Sequence, residues 1–223
     1  MSSIVLDLQQ EVLKPECDVL NALRKAHLIA SKLKLKEFDK WIMHELNGYS
    51  VKEQDKIPEY RKVNGKLKAW NPYRGWTSVI FQDSKMQSLL CTKYLGSSIG
   101  EILELYNNSD GPVQMSYPVD IERKIDEMCS APFPTNYSLH ISTHVLKSIV
   151  DQVQNCLLEW TIKLENEGIL GEGMRFNKDE TNLAKKVPQT IYNYYGTVVN
   201  GDIQQSQVVM SLIHISEPTR HLR

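Results

Sequence analysis

The sequence predicts an α+β fold that is predominantly α-helical. It comprises an N-terminal three-helix bundle, a small antiparallel sheet, a long central helix and a C-terminal β-hairpin. Three observations predict this class. Apolar residues recur at helical spacing up to Leu46, they alternate with a period of two after Tyr60, and a wide apolar stripe runs through Thr143–Glu167.

Three short helices are expected first. Ser2–Leu13 carries a single apolar stripe, Asp18 can cap a second helix that ends near Leu33, and Leu35–Leu46 forms a third, which Gly48 can terminate. Amphipathic helices of this length bury their stripes against one another, so we expect a small bundle.

A half-buried strand is predicted from Tyr60 to Ala69 by alternation of its side chains. One face carries Arg61, Val63, Gly65, Leu67 and Ala69, and the other carries Lys62, Asn64, Lys66 and Lys68. The Trp70–Trp76 segment contains Asn-Pro and Gly and therefore predicts a turn, after which Thr77–Phe81 can return antiparallel.

The second half of the domain alternates helices and short strands. Helices are expected at Ser84–Leu90, Ser98–Tyr106, Pro118–Met128, Thr143–Glu167 and Asn177–Lys186, and strands at Val113–Tyr117 and Tyr137–Ile141. Ser98 followed by Glu101 is typical of a capping box, and Gly168 is placed to end the long helix.

The pattern divides the chain into three parts. Residues 1–186 read as one α-rich domain, and 187–210 begin a further module with a hairpin at Ile191–Val209 around Asn200-Gly201. An isolated hairpin is marginal in water, so we expect it either to start a second module or to pair with another subunit. Residues 211–223 are expected to be an artefactual tail, because Ser211–Arg220 resembles a translated sequencing-library adaptor.

Composition excludes several classes of protein. Twenty-six basic and 27 acidic residues leave a net charge of -1, which excludes a globally basic nucleic-acid binder but not a local basic patch. No apolar run approaches the roughly 18 residues of a membrane span. Four scattered cysteines, Cys17, Cys91, Cys129 and Cys156, predict reduced thiols and a cytoplasmic location.

No catalytic, cofactor or metal site is predicted. His140 and His144 are four residues apart, but a strand holds the first and a helix start the second, so they do not share a helix face. The glycines of Gly168–Gly173 follow a helix, whereas a phosphate-binding loop follows a strand, so a capping turn is favoured. Cys156 lies on the apolar stripe of the long helix, as a core residue would.

A basic and aromatic cluster is the most suggestive surface. It consists of Lys62, Lys66, Lys68, Trp70, Tyr73, Arg74 and Trp76. Cations attract phosphates and aromatic rings stack on bases, so this combination suits single-stranded nucleic acid. The competing interpretation is structural, with lysines that guard a strand edge and tryptophans that close the core at a turn.

Several segments together resemble the AbiTii domain, a bacterial family associated with abortive infection and phage defence. They are Phe38–Tyr49, Ile57–Arg61, Gly65–Pro72, Leu158–Glu165 and Gly168–Met174, and the resemblance spans Ser2 to Lys186. The resemblance implies a biological setting and carries no catalytic motif. Its recurring positions Trp41, Gly48, Pro58, Trp70, Pro72 and Trp160 fit core filling, helix ends and turns. Tyr194–Ser206 is similar to β segments that follow such domains.

Three functional hypotheses remain open. The first is a non-enzymatic sensing or interaction module of an anti-phage system, which binds a protein partner or self-assembles through residues 191–209. The second is nucleic-acid binding through the hairpin at residues 60–81. The third is a nuclease-like or nucleotide-acting toxin, in which scattered acids would converge in space: Glu45, Glu59, Asp83, Glu101 and Glu159. No cofactor and no membrane contact are expected.

Overall fold

A computed structural model describes residues 3–50, 56–81, 83–129 and 134–187. Its helices are α1 (Ile4–Val12), α2 (Val19–Leu33), α3 (Lys36–Asn47), α4 (Ser84–Cys91), α5 (Ile99–Asn108), α6 (Val119–Cys129), α7 (Thr143–Asn166) and α8 (Lys178–Ala184). Its strands are β1 (Lys62–Asn64), β2 (Lys66–Asn71), β3 (Gly75–Ser78), β4 (Thr92–Tyr94), β5 (Val113–Ser116) and β6 (Tyr137–Ile141). The predicted hairpin at Ile191–Val209 and the tail at 211–223 lie outside the described residues.

The predominantly helical α+β class is confirmed, and α7 is the centre of the core. It packs against α1, α2 and α5, as its wide apolar stripe predicts. Trp160 of α7 is fully buried and stacks on Phe38 of α3 with 4.2 Å between ring centroids. Cys156 is also fully buried, which confirms it as a core residue.

Local capping signals set the helix ends as expected. The Asp18 side chain accepts a hydrogen bond from the Asn21 amide at 3.0 Å and begins α2. Ser98 and Glu101 form the predicted capping box at the start of α5. Each of these interactions spans three residues, which is why the sequence alone locates them.

The single strand predicted over Tyr60–Ala69 is wrong, because the chain forms two strands in two sheets. A 3-10 turn occupies Glu59–Arg61, after which β1 pairs with β4 in a two-stranded antiparallel sheet. β2 lies inside a separate four-stranded antiparallel sheet with the order β3-β2-β6-β5. The partner strand β4 was not predicted, since three residues carry too little periodicity to show it.

Gly65 is the position at which the chain passes from one sheet to the other. Its amide donates to the Cys91 carbonyl oxygen at 2.8 Å. A Cβ atom at this position would lie 2.7 Å from Cγ of Leu139 and 2.9 Å from the carbonyl oxygen of His140. The close approach of β6 therefore requires glycine at this position. Gly65 separates β1 from β2, although the alternation of side chains in the sequence continues through it.

The four-stranded sheet has one face in the core. Its inner face is formed by Leu67, Ala69, Thr77, Val113, Met115, Tyr137, Leu139 and Ile141. Leu67, Leu139 and Ile141 are almost fully buried. Alternation then directs the remaining side chains of these strands away from the core.

Candidate functional site

The opposite face of the four-stranded sheet, which we call the outer face, carries most of the predicted basic and aromatic cluster. Its members are Lys66, Lys68, Trp70, Trp76, Ser78, Gln114, Ser116, Ser138 and His140. None of these nine positions is acidic. The two central positions on β6 are buried and the flanking ones are partly or fully exposed.

Two tryptophans and a histidine form a continuous aromatic row across this face. Trp70 and Trp76 are cross-strand partners in an edge-to-face arrangement, 5.3 Å between centroids. Trp76 also meets the His140 ring edge-to-face at 5.4 Å. Trp70 remains 43% exposed, so its ring does not fill the core.

His140 is held in an environment that disfavours its charged form. Burial lowers its pKa, and the positive charge of Lys68 lowers it further. Its Nε2 atom is buried and has no hydrogen-bond partner among the described residues. The imidazole is therefore neutral at pH 7 and acts as an aromatic surface beside Trp76.

The lysines of β2 are unpaired cations on a central strand. Within the described residues no carboxylate forms an ion pair with Lys66, Lys68 or Arg74. β2 lies between β3 and β6, so its lysines do not protect a sheet edge. The interpretation that the lysines of the cluster guard a strand edge is therefore wrong for Lys66 and Lys68.

Lys62 is separated from the other predicted cluster residues. It belongs to β1 in the smaller sheet, where its Nζ lies 2.8 Å from Oε1 of Glu59. Tyr73 and Arg74 lie in the turn between β2 and β3, at the tip of the hairpin, and Tyr73 is 96% exposed. The structure thus keeps six of the seven predicted residues on one hairpin and places the seventh elsewhere.

A buried ion pair joins two of the motifs that carried the family resemblance. Glu45 and Arg61 are both fully buried, with 2.5 Å between Oε2 of Glu45 and Nη2 of Arg61. Oε1 of Glu45 also accepts from the hydroxyls of Tyr49 and Tyr60, at 2.8 and 2.7 Å. Trp41 Nε1 donates to the Tyr60 hydroxyl at 3.0 Å.

Arg61 completes this network by bonding the chain ahead of α5. Its Nη1 donates to the carbonyl oxygens of Leu95 and Ser97, at 2.9 and 2.7 Å. Burial alone would lower the pKa of Arg61, but the charge and hydrogen bonds of Glu45 outweigh it and raise that pKa. The network pairs one negative with one positive charge, and its hydrogen bonds connect α3, the 3-10 turn and the segment ahead of α5. Sequence reasoning missed the pair because its members are 16 residues apart.

Three of the other four acids of the enzyme hypothesis make separate structural contacts, and the fourth lies on the surface. Glu59 pairs with Lys62 and accepts from the Tyr94 hydroxyl at 2.5 Å. Asp83 caps α4, Glu101 closes the capping box of α5, and Glu159 is exposed on α7. In the described part of the chain, no three His, Cys, Asp or Glu side chains are grouped to hold a metal ion.

The glycine segment after α7 is a turn whose amides bind an internal carboxylate. Oε1 of Glu180 accepts from the amides of Leu170 and Gly171, both at 3.0 Å. Burial raises the pKa of Glu180, but these amides and that of Asn177 lower it overall. The Ile4 and Val5 amides donate to the carbonyls of the same turn. The turn therefore fastens the start of α1 to the end of α7.

Together these features define a mostly helical α+β domain whose antiparallel sheet keeps a basic, aromatic face outside the core. The AbiTii family model matches residues 3–189, and the chain belongs to the AbiTii family. Membership associates it with abortive infection and phage defence. No curated protein and no solved structure gives a significant match. Among the described helices none has the length and apolarity needed to cross a membrane.

Proposed function

We propose that this domain is a non-enzymatic recognition module of a phage-defence system, and that its outer face binds single-stranded nucleic acid. The proposal depends on one observation. Lys66 and Lys68, which have no acidic partner among the described residues, lie on the same sheet face as the exposed ring of Trp70, and that face carries no acidic residue. Cations would hold phosphates while the ring stacks on a base.

The geometry supports a single strand over a duplex. The outer face is a surface of β-strand side chains, and the aromatic row lies along it rather than on a projecting helix. Stacking on Trp70 requires an unpaired base, which a duplex does not offer. Tyr73 and Arg74 lie in the exposed turn at the tip of the same hairpin and would offer one further ring and one further cation.

Fluorescence anisotropy with a labelled mixed-sequence oligonucleotide tests the proposal. We expect the full chain to bind single-stranded RNA or DNA more tightly than a duplex, with an affinity that falls as salt rises. The paired change Lys66→Glu with Lys68→Glu should abolish binding. Lys36→Glu with Lys40→Glu on α3 is the matched control, because both lysines are exposed and the charge change is identical. Equal loss in both variants, or no binding at low salt, would contradict the proposal.

A second candidate function is assembly through strand pairing. Within the described residues β3 and β5 each pair on one side only, and such edges accept an added strand. The hairpin predicted at 191–209 is the proposed partner strand pair, either from a second copy or from another protein. Light scattering with and without residues 191–209 measures this, and an unchanged mass would exclude self-assembly by that hairpin.

We also propose how the chain is divided into parts and that the protein is located in the cytoplasm. Residues 1–186 would form the recognition domain, 187–210 would begin a further module, and 211–223 would not contribute to folding. The cytoplasm fits a chain whose described cysteines, Cys17, Cys91 and Cys156, are all free thiols. Limited proteolysis should leave a resistant fragment that ends close to Lys186.

A further inference from the structure

An apolar cavity of about 290 Å³ lies between α4 and α6. Eight of its ten lining residues are aliphatic, thioether, proline or aromatic side chains, among them Leu90, Ile121 and Ile125. The other two are Lys93 and Lys124. None of the ten belongs to the outer face, so the cavity is independent of the nucleic-acid proposal.

Lys93 brings a partly buried ammonium group to this cavity. Its Nζ lies 4.1 Å from the centroid of the Tyr117 ring, which also lines the space. The Tyr117 hydroxyl donates to the Leu90 carbonyl oxygen, and this bond fixes the ring beneath the ammonium. Burial lowers the pKa of Lys93, because it removes water from the charged ammonium.

Both cations of the cavity lack an acidic partner within the described residues. No carboxylate is among the lining side chains, and neither Lys93 nor Lys124 takes part in an ion pair there. Partial burial of the Lys93 ammonium without a counterion is unfavourable, so an anion beside it would be stabilised.

The lining restricts the chemistry of a ligand. The Tyr117 hydroxyl already donates internally, so among the lining side chains the two ammonium groups are the hydrogen-bond donors left for a ligand. A nucleotide or sugar would leave its ring donors and acceptors unpaired in such a space, which is costly. A hydrocarbon chain has no such atoms and gains by leaving water.

We propose that this cavity binds a medium-chain aliphatic carboxylate, with the chain between α4 and α6 and the carboxylate beside Lys93 and Lys124. The volume is near the lower end of the range of about 300–1,000 Å³ for ligand pockets, so a short single chain fits and a two-chain lipid does not.

Isothermal titration of the full chain with hexanoate, octanoate and decanoate tests the length dependence. We expect one saturable site whose affinity rises about fourfold for each added methylene group until the cavity is full. Octanoate should bind more tightly than octanol, and octyltrimethylammonium should not bind. Equal affinities for the three octyl compounds, or no saturable binding, would overturn the proposal.

Variants locate the two ends of the ligand. Lys93→Gln should weaken octanoate about tenfold or more and leave octanol unchanged, because the lost contact is charged. Lys85→Gln is the control, an exposed lysine of α4 outside the cavity. Ile121→Trp should fill the cavity with its larger side chain and abolish the binding of both octanoate and octanol. The exposed Lys124→Gln repeats the charge test if Lys93→Gln does not fold, and octanoate binding that neither lysine change alters would refute the assignment.

Discussion

The carboxylate of Glu45 and the guanidinium of Arg61 form a fully buried ion pair between α3 and the 3-10 turn that precedes β1. Glu45 also accepts from two tyrosine hydroxyls, and Arg61 also donates to two backbone carbonyls. Such a pair adds little to the net free energy of unfolding, because two charges must leave water to form it. Its main effect is to fix which segments contact each other. Removal of one partner is costly, because the other charge then remains buried without a counterion.

Glu45→Ala should therefore lower the free energy of unfolding by about 3–5 kcal/mol, since it leaves the Arg61 charge buried and unpaired. Glu59→Ala is the matched control, because it breaks the neighbouring exposed pair with Lys62 and should cost below about 1 kcal/mol. Urea denaturation of both variants measures the difference. Similar costs for the two changes would show that the buried network carries no special weight.

Gly65→Ala should destabilise the fold by about 1–3 kcal/mol, because the new methyl group would overlap Leu139 and the His140 carbonyl oxygen. The control is Gly111→Ala, where a Cβ atom meets nothing within 4 Å. That change should leave stability almost unaltered. Thermal unfolding compares the two, and a harmless Gly65→Ala would mean that β6 does not approach this closely.

Nucleic-acid affinity should fall with salt at a slope set by the three unpaired cations. For Lys66, Lys68 and Arg74 we expect a log–log slope of about −2, at roughly −0.7 per phosphate contacted on a single strand. Lys66→Gln with Lys68→Gln, which removes both charges without reversing them, should weaken binding and reduce the magnitude of the slope to about 0.7. Trp70→Ala should weaken binding by about 1–3 kcal/mol and leave the slope unchanged, since stacking releases no counterions. Anisotropy across a salt series separates these two effects.

Acid should destabilise the domain in part through His140. Its folded pKa lies below the unfolded value of about 6.5, so the unfolded chain binds the proton first and stability falls as pH decreases through that value. His140→Gln should make the fall in Tm between about pH 7 and pH 5 shallower. The same change at the exposed His144 is the control and should leave the fall unaltered. Parallel pH profiles for all three proteins would refute this role.

Glu180→Ala should loosen the connection between α1 and α7 and cost about 1–2 kcal/mol, since it removes the capping box of α8 and exposes two turn amides. Asp179→Ala in the same helical turn is the control, because Asp179 is exposed and makes none of these bonds. Hydrogen exchange at the amides of Leu170 and Gly171 should accelerate only in the first variant.

The sequence by itself determined the features that depend on near neighbours. The helices of the bundle, the capping residues Asp18 and Ser98, and the central position of α7 follow from periodicity and from contacts three or four residues apart. The basic and aromatic hairpin was also predictable, because β2 and β3 are joined by a short turn.

Only the tertiary structure decided the rest. The close approach of β6 to Gly65 separates β1 from β2, and Lys62 therefore lies in the smaller sheet. Packing of distant segments also brings Glu45 against Arg61 and places Lys93 at an apolar cavity. Each of these outcomes depends on segments far apart in the chain. Alternation and helical spacing report which side of an element is apolar, and they carry no information about which distant element packs against it.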